Sequence, residues 1–474
     1  MTDADLSLGS RAVDARPVTA RLSQRLGLVA LLSVSVGLVI SQGVMVLMLQ
    51  GVGIAGPAFL IPLSLAFLLA LTYAFSFAEL SLMIPRAGSL SSYTEVALGH
   101  FAAIVSTFSG YVVVAMFALS AELLLLDQIV SQVYPGLFPN MSVAIAVLAL
   151  FTLLNLLNID IFARLQTALA SVMMIVLVAL GLCAISGSGS EPAISASLPE
   201  TWNPMGAGVL TLVALAIWGF VGAEFVCPLV EESKQPERNI PWAMILGISI
   251  IFVTIALYAI GALYYVPQEE LATATLPHYL YATAMFGDAG KHVLVIAATM
   301  ATCSTLNTSL AAIPRMLYGM ANNGQAFPQF KYLSQRFNTP WVAVLFVAAI
   351  TGMPILLMGN DPGVVGMLLL AAAIAWLLAY IVCHLDVIAL RRRYPDMKRP
   401  FRTPFYPVPQ LLGIAGMLVS IYYASPTPEM TEMIFTSAGV VLGLVSLIAV
   451  VWIKLVMRKP LFTPEPLENV LNRQ

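Results

Sequence analysis

Apolar runs alternate with short polar connections from residue 26 to residue 456. They fall near 26–49, 57–83, 101–131, 141–157, 162–186, 206–229, 241–266, 289–319, 340–358, 362–389, 408–424 and 432–456. A hydrocarbon core about 30 Å thick is crossed by about 20 residues of α-helix, and shorter runs down to about 17 still suffice. The pattern predicts twelve transmembrane helices in an all-α integral membrane protein. Two of the runs are interrupted. In residues 33–43, SVSVGLVISQG, Gly37, Ser41, Gln42 and Gly43 fall about midway through the first run. In the sixth, Gly219, Gly222 and Glu224 fall within GVLTLVALAIWGFVGAEFVCPLVEE. Glycine tolerates backbone conformations that other residues resist, and unwound backbone at membrane depth is sustained only where it lines a cavity or is buried in protein. A carboxylate inside a span points to a functional site. Interrupted helices five spans apart predict a five-plus-five inverted repeat with broken helices 1 and 6 and the substrate site at the breaks. The alternative use of such small residues is close helix packing.

Charge adds orientation. With a cytoplasmic N-terminus, all of the 22 lysines and arginines except Lys291 fall on the inner side, which predicts a plasma (inner) membrane protein with both termini cytoplasmic. The organisation that follows is a cytoplasmic tail at 1–25, a transport core at 26–389 made of repeats 26–186 and 206–389, a basic cytoplasmic loop at 390–407, two peripheral helices at 408–456 and a cytoplasmic tail at 457–474. Only 10% of residues are charged and 59% are hydrophobic, with mean hydropathy +0.91, whereas soluble domains carry about 25% charged residues. The four cysteines lie scattered in apolar segments with no CxxC pair, so neither a disulfide framework nor a zinc site is expected. No mid-membrane pair of catalytic groups and no GxxxxGK[ST] loop is present. An enzyme, a primary pump, a cofactor, a bound metal and a nucleic-acid partner are not expected.

Four stretches in order along the chain carry a family likeness: AELSLMIPRAGSLSSY (78–93), FVGAE with EESKQPERNIP (220–224 and 231–241), RMLYGMANNGQAFP (315–328) and RRYPDMKRPFRTP (392–404). With them the sequence resembles the amino acid, polyamine and organocation permeases. The resemblance implies a ten-helix inverted-repeat core with two peripheral helices, alternating access, and transport of amino acids or related small amines, with a proton as the coupling ion or with exchange. It implies that backbone near Ser41, Gln42 and Gly43 binds a substrate carboxylate. Carbonyls near Gly219 and Gly222, with the ring of Trp218 or Phe220, receive an amino group; helix N-termini favour anions, C-termini cations, and aromatic faces attract ammonium. Two departures stand out. Relatives commonly read Gly-Ser-Gly where this chain has Ser41-Gln42-Gly43, so Gln42 either occludes the carboxylate position or supplies an amide to it. The fifth helix, QTALASVMMIVLVALG, lacks the lysine that several proton-coupled relatives place near Met173.

Glu224 is expected to take up and release a proton during the cycle, or else to brace the broken helix. Glu122 lies about 9 Å beyond the midpoint of the third span at 1.5 Å per residue, still within hydrocarbon depth. With no lysine or arginine in that span, it is expected to contact a cationic amine or to be hydrogen-bonded to a neighbouring helix. Asp127 is expected either to be hydrated or to draw cations inward. Glu79 is expected to make an ion pair or helix-end contact beside Arg86. Ser304, Asn307, Ser309 and Trp376 are candidates for the cavity wall, with helix packing as the alternative for each.

Overall fold

The computed structural model describes residues 25–157, 159–190, 194, 206, 208–359, 362–424 and 428–472. The expected N-terminal tail, Arg25 apart, and most of the outer connection at 187–205 lie outside these residues. In a bilayer every backbone N–H and C=O needs a partner inside the protein, and the helix supplies them within one segment. The described residues are accordingly helical, with an isolated Leu26–Ser233 bridge as the one β-type pairing among them.

The chain opens with α1 (Leu28–Val39) and α2 (Gln42–Ala55), followed by α3 (Leu60–Met83), α4 (Leu90–Ala97) and α5 (His100–Thr107). Two wide π-type stretches, Phe108–Val113 and Ala115–Leu119, carry α5 into α6 (Ser120–Val133). Next come α7 (Ser142–Asn155), α8 (Ile159–Ile185) and α9 (Gly208–Ala216). Tight 3-10 segments, Ile217–Phe220 and Ala223–Glu232, separate α9 from α10 (Pro236–Ala262). Then follow α11 (Gln268–Thr273), α12 (Pro277–Phe286), α13 (Asp288–Asn322), α14 (Trp341–Met358), α15 (Pro362–Arg393), α16 (Val408–Tyr422), α17 (Pro428–Val451) and α18 (Leu467–Leu471). Among the described residues, eight helices are long and apolar enough to cross a membrane, and four shorter apolar helices accompany them.

Their burial differs in a way that locates the core. α1 packs against α8, α10 and α13, and α13 is buried over most of its length. By contrast α17 exposes Val440, Leu444, Leu447 and Ile448, the surface expected against lipid. Polar side chains concentrate inside the buried set. Gln166 on α8 donates to the Ser33 carbonyl at 3.2 Å and to Ser304 Oγ at 2.7 Å. Asn307 donates to Gln166 Oε1 at 3.0 Å and receives Asn155 Nδ2 at 3.1 Å. A line of neutral amides thus ties α1, α7, α8 and α13 together.

Of two further carboxylates, Glu79 makes the expected ion pair with other partners, and Asp127 sits otherwise than the sequence suggested. Glu79 pairs with Arg391 (2.6 Å) and Arg399 (3.3 Å), not with Arg86, whose guanidinium bonds the Leu471 carbonyl. The residues next to Glu79 in sequence gave no view of partners more than 300 positions away. Asp127 is buried and accepts the backbone N–H groups of Met141 and Val143 at 3.0 and 3.2 Å. It therefore caps the start of α7, where unpaired N–H groups and the helix dipole favour an anion, in place of being hydrated.

Candidate functional site

The first interruption is short and well defined. α1 ends at Val39; Ile40 turns out of the helical region (φ −82°, ψ 89°), and Ser41 is extended (φ −102°, ψ 171°) before α2 begins at Gln42. Ser41 acts as N-cap, its hydroxyl oxygen accepting the Val44 N–H at 3.3 Å. The other leading N–H groups of α2 find a partner 80 residues away in sequence. Gln42 N donates to Glu122 Oε2 at 2.9 Å and Gly43 N to Glu122 Oε1 at 2.8 Å. The Ser41 hydroxyl stands beside the same carboxylate. A Cβ at position 43 would stand 2.8 Å from Glu122 Oε1, so the missing side chain permits this approach. Charge-assisted bonds from backbone N–H groups, reinforced by the positive end of the helix dipole, hold the carboxylate there.

Gln42 turns its own side chain away from this contact. Its amide nitrogen donates to the Leu125 carbonyl at 3.1 Å and lies 3.3 Å from His278 Nε2 on α12. Burial pushes the His278 imidazole down to about 3, so the ring is neutral and accepts from Gln42.

At the second interruption, Val221 is extended (φ −77°, ψ 140°) and Gly222 adopts φ +112°, a region that side chains other than glycine's seldom enter. Glu224 lies two residues further on, fully buried. Its carboxylate accepts the Trp376 indole N–H at 2.8 Å, the Tyr380 hydroxyl at 2.6 Å and the Gly222 N–H at 3.1 Å. Tyr380 stacks on Tyr73 with ring centroids 4.1 Å apart, and the Tyr73 hydroxyl donates to the Phe220 carbonyl at 2.5 Å. α3 and α15 therefore hold the backbone of the second interruption from both sides.

Between the two interruptions lies a narrow cavity of about 30 Å³, enough for one or two waters. Of the residues singled out from sequence, Ser41, Glu122, Trp218, Ser309 and Trp376 line it. Thr305, Val221 and Phe225 complete much of the wall. Trp218 and Trp376 meet edge to face at 6.0 Å, and the Trp218 indole N–H has no partner in the protein. Gln42 and Gly43 stand behind Glu122, which takes their N–H groups. Gly219 faces Met48 and Ile255, while Phe220 packs near Phe67 at 6.1 Å. Ser304 and Asn307 belong to the amide line around Gln166. Gln166 and His278 were missed in the sequence reading. Gln166 had a signal, the one amide of α8, at the head of its long apolar stretch; His278 had none, because its contact depends on how an outer helix docks.

Comparison with known proteins agrees with this architecture. Over 424 residues the chain is 26% identical to the branched-chain amino acid permease BcaP of Bacillus subtilis, covering 84% of this chain and 88% of that one. It is 24% identical to the serine/threonine exchanger SteT of the same organism, covering 90% and 96%, and 25% identical to its methylthioribose transporter, covering 87% and 91%. Among solved structures, the manganese transporter of Eremococcus coleocola, in complex with an aromatic bis-isothiourea substituted compound, shares the fold, with TM-score 0.59 at 14% identity over 90% of this chain and 92% of that one. The amino acid permease profile matches residues 26–453, from the start of α1 through α17, and so takes in both interruptions and the cavity between them. The chain belongs to the amino acid permease family, whose members are membrane transporters and not enzymes.

Proposed function

We propose that the protein is a secondary active transporter that moves amino acids or related small amines across the cell membrane by alternating access. The observation that carries this reading is the meeting of the two helix interruptions across one buried cavity. Unwound backbone at membrane depth is tolerated where it serves a ligand, and two such segments facing one another form a ligand site. In this reading α1 and α2 together make the first of twelve spans, arranged as repeats 26–186 and 206–389 with two peripheral helices. Both termini and the 390–407 loop are cytoplasmic in this reading, following the distribution of lysine and arginine. The rings of Trp218 and Trp376 offer π faces to an ammonium group. Glu224 is the proposed coupling residue: a proton arriving there removes the charge that its three donors bond to, which would weaken those bonds and loosen the second interruption. Relatives named as an exchanger and as a methylthioribose transporter support exchange as one mode and cargo other than amino acids within the family.

The test is purified protein in liposomes, assayed for uptake and exchange with a panel of amino acids and amines at inside and outside pH values set separately. Saturable transport of at least one member is expected. Glu224→Gln, which keeps the shape and removes the titrating group, is expected to lose the pH dependence; a variant with the wild-type pH profile would end the proton role. Impermeant labelling of single cysteines in the 391–409 loop tests the orientation, and labelling from outside intact cells would reverse it.

A further inference from the structure

The positive end of α2 is the cavity's anion site, and it is already occupied. The Gln42 and Gly43 N–H groups bond the Glu122 carboxylate, and the Ser41 hydroxyl stands beside it. A carboxylate offers about four lone-pair positions, so the donors of this segment leave at least one facing elsewhere, and Glu122 is itself part of the cavity wall. Among the described residues that line the cavity there is no lysine, arginine or histidine to receive a second carboxylate. An incoming amino acid would bring its carboxylate against Glu122 with no cationic partner, a like-charge contact in a water-poor space. An ammonium group meets the opposite situation: a fixed carboxylate with a free lone pair, two indole rings and a mostly apolar wall. The partnerless Trp218 N–H supplies one further donor for a neutral acceptor on the ligand.

We propose that Glu122 is a resident stand-in for a substrate carboxylate and selects ligands that carry a cationic amine but no carboxylate. This rests on the reading of the cavity as the substrate site, and it narrows the cargo from amino acids in general to their decarboxylated counterparts and similar amines. The geometry separates two roles that a free amino acid would combine: the protein provides the acid group and the ligand provides the amine.

Matched pairs that differ only by the carboxylate test it: valine with isobutylamine, phenylalanine with phenethylamine, arginine with agmatine. Thermal-shift titration of the purified full-length protein in detergent reads binding. Counterflow in liposomes reads transport. For the wild type, the amine of at least one pair is expected to bind at least tenfold more tightly than its amino acid. Glu122→Gln is expected to lose at least tenfold of the amine affinity. Glu122→Ala frees the N–H groups of Gln42 and Gly43 towards the cavity and is expected to reverse the preference by admitting the amino acid. Wild-type protein that binds the amino acid as well as its amine overturns the proposal while leaving the transport reading intact, and this comparison needs no variant to fold. Failure to bind or carry any member of any pair, in the wild type and in Glu122→Ala alike, overturns both.

Discussion

The two interruptions solve the same problem with opposite means. At each, a helix stops inside the bundle and a buried carboxylate takes up freed backbone N–H groups. At the first, the carboxylate is Glu122, contributed by α6 across the fold, and it remains part of the cavity wall. At the second, it is Glu224, from the interrupted segment itself, and its donors come from its own backbone and from Trp376 and Tyr380 on α15. Glu224 is not among the residues lining the cavity. The difference teaches that a carboxylate inside a membrane has to be read with its partners. One faces the cavity between the interruptions, and the other is absorbed in holding a stretch of unwound backbone.

The comparison breaks most visibly at Glu224. Glu224→Ala leaves the buried Trp376 indole N–H and Tyr380 hydroxyl without their acceptor at about 1–3 kcal/mol each, while the Gly222 N–H keeps the Tyr380 oxygen at 2.9 Å, so a loss of about 2 kcal/mol or more is expected, read as a fall of the thermal unfolding midpoint in detergent. If the second carboxylate bore on the ligand and not on the backbone, stability would hold and only affinity would fall. Glu122→Gln is expected to act the other way round, costing about 1.5 kcal/mol in affinity for a cationic amine, the scale of one charge-assisted hydrogen bond, with neutral ligands spared. Equal losses for charged and neutral ligands would make the two carboxylates alike. Gly222→Ala forces a side chain into positive φ and towards Leu38 and Trp376, for about 1–2 kcal/mol of destabilisation and slowed transport. A variant as stable as the wild type would show that the second interruption does not depend on that conformation. The smallest effect is expected from Trp376→Phe, which removes one of three donors to Glu224 and costs about 1 kcal/mol in the same unfolding assay.

The helical membrane class was legible because hydrocarbon thickness fixes the length of an apolar run, and the family was legible from four ordered stretches. The glycine and carboxylate positions that mark the site could also be picked out, since polar or conformationally free residues inside an apolar run stand out against their neighbours. Partnership could not. The sequence shows Glu122 and Gly43 as separate oddities 79 positions apart, and their hydrogen bond exists only because the tertiary fold packs α6 against the start of α2. The same holds for Glu79, whose arginines lie at the end of α15 and just beyond it, and for Asp127, whose partners lie at the start of α7. Local pattern identifies which groups are costly to bury; the tertiary fold decides what relieves the cost.

The hydrogen bonds from Gln42 and Gly43 to Glu122 also have a meaning in the language of competition. A group carried on a packed helix is present at its partner at an effective concentration well above the roughly millimolar level of a short flexible tether. A dissolved carboxylate must therefore contend with a rival that is never diluted. Raising an amino acid through the millimolar range should leave the N-terminus of α2 undisturbed, and the outcome of that contest is decided when the chain folds, before any solute arrives.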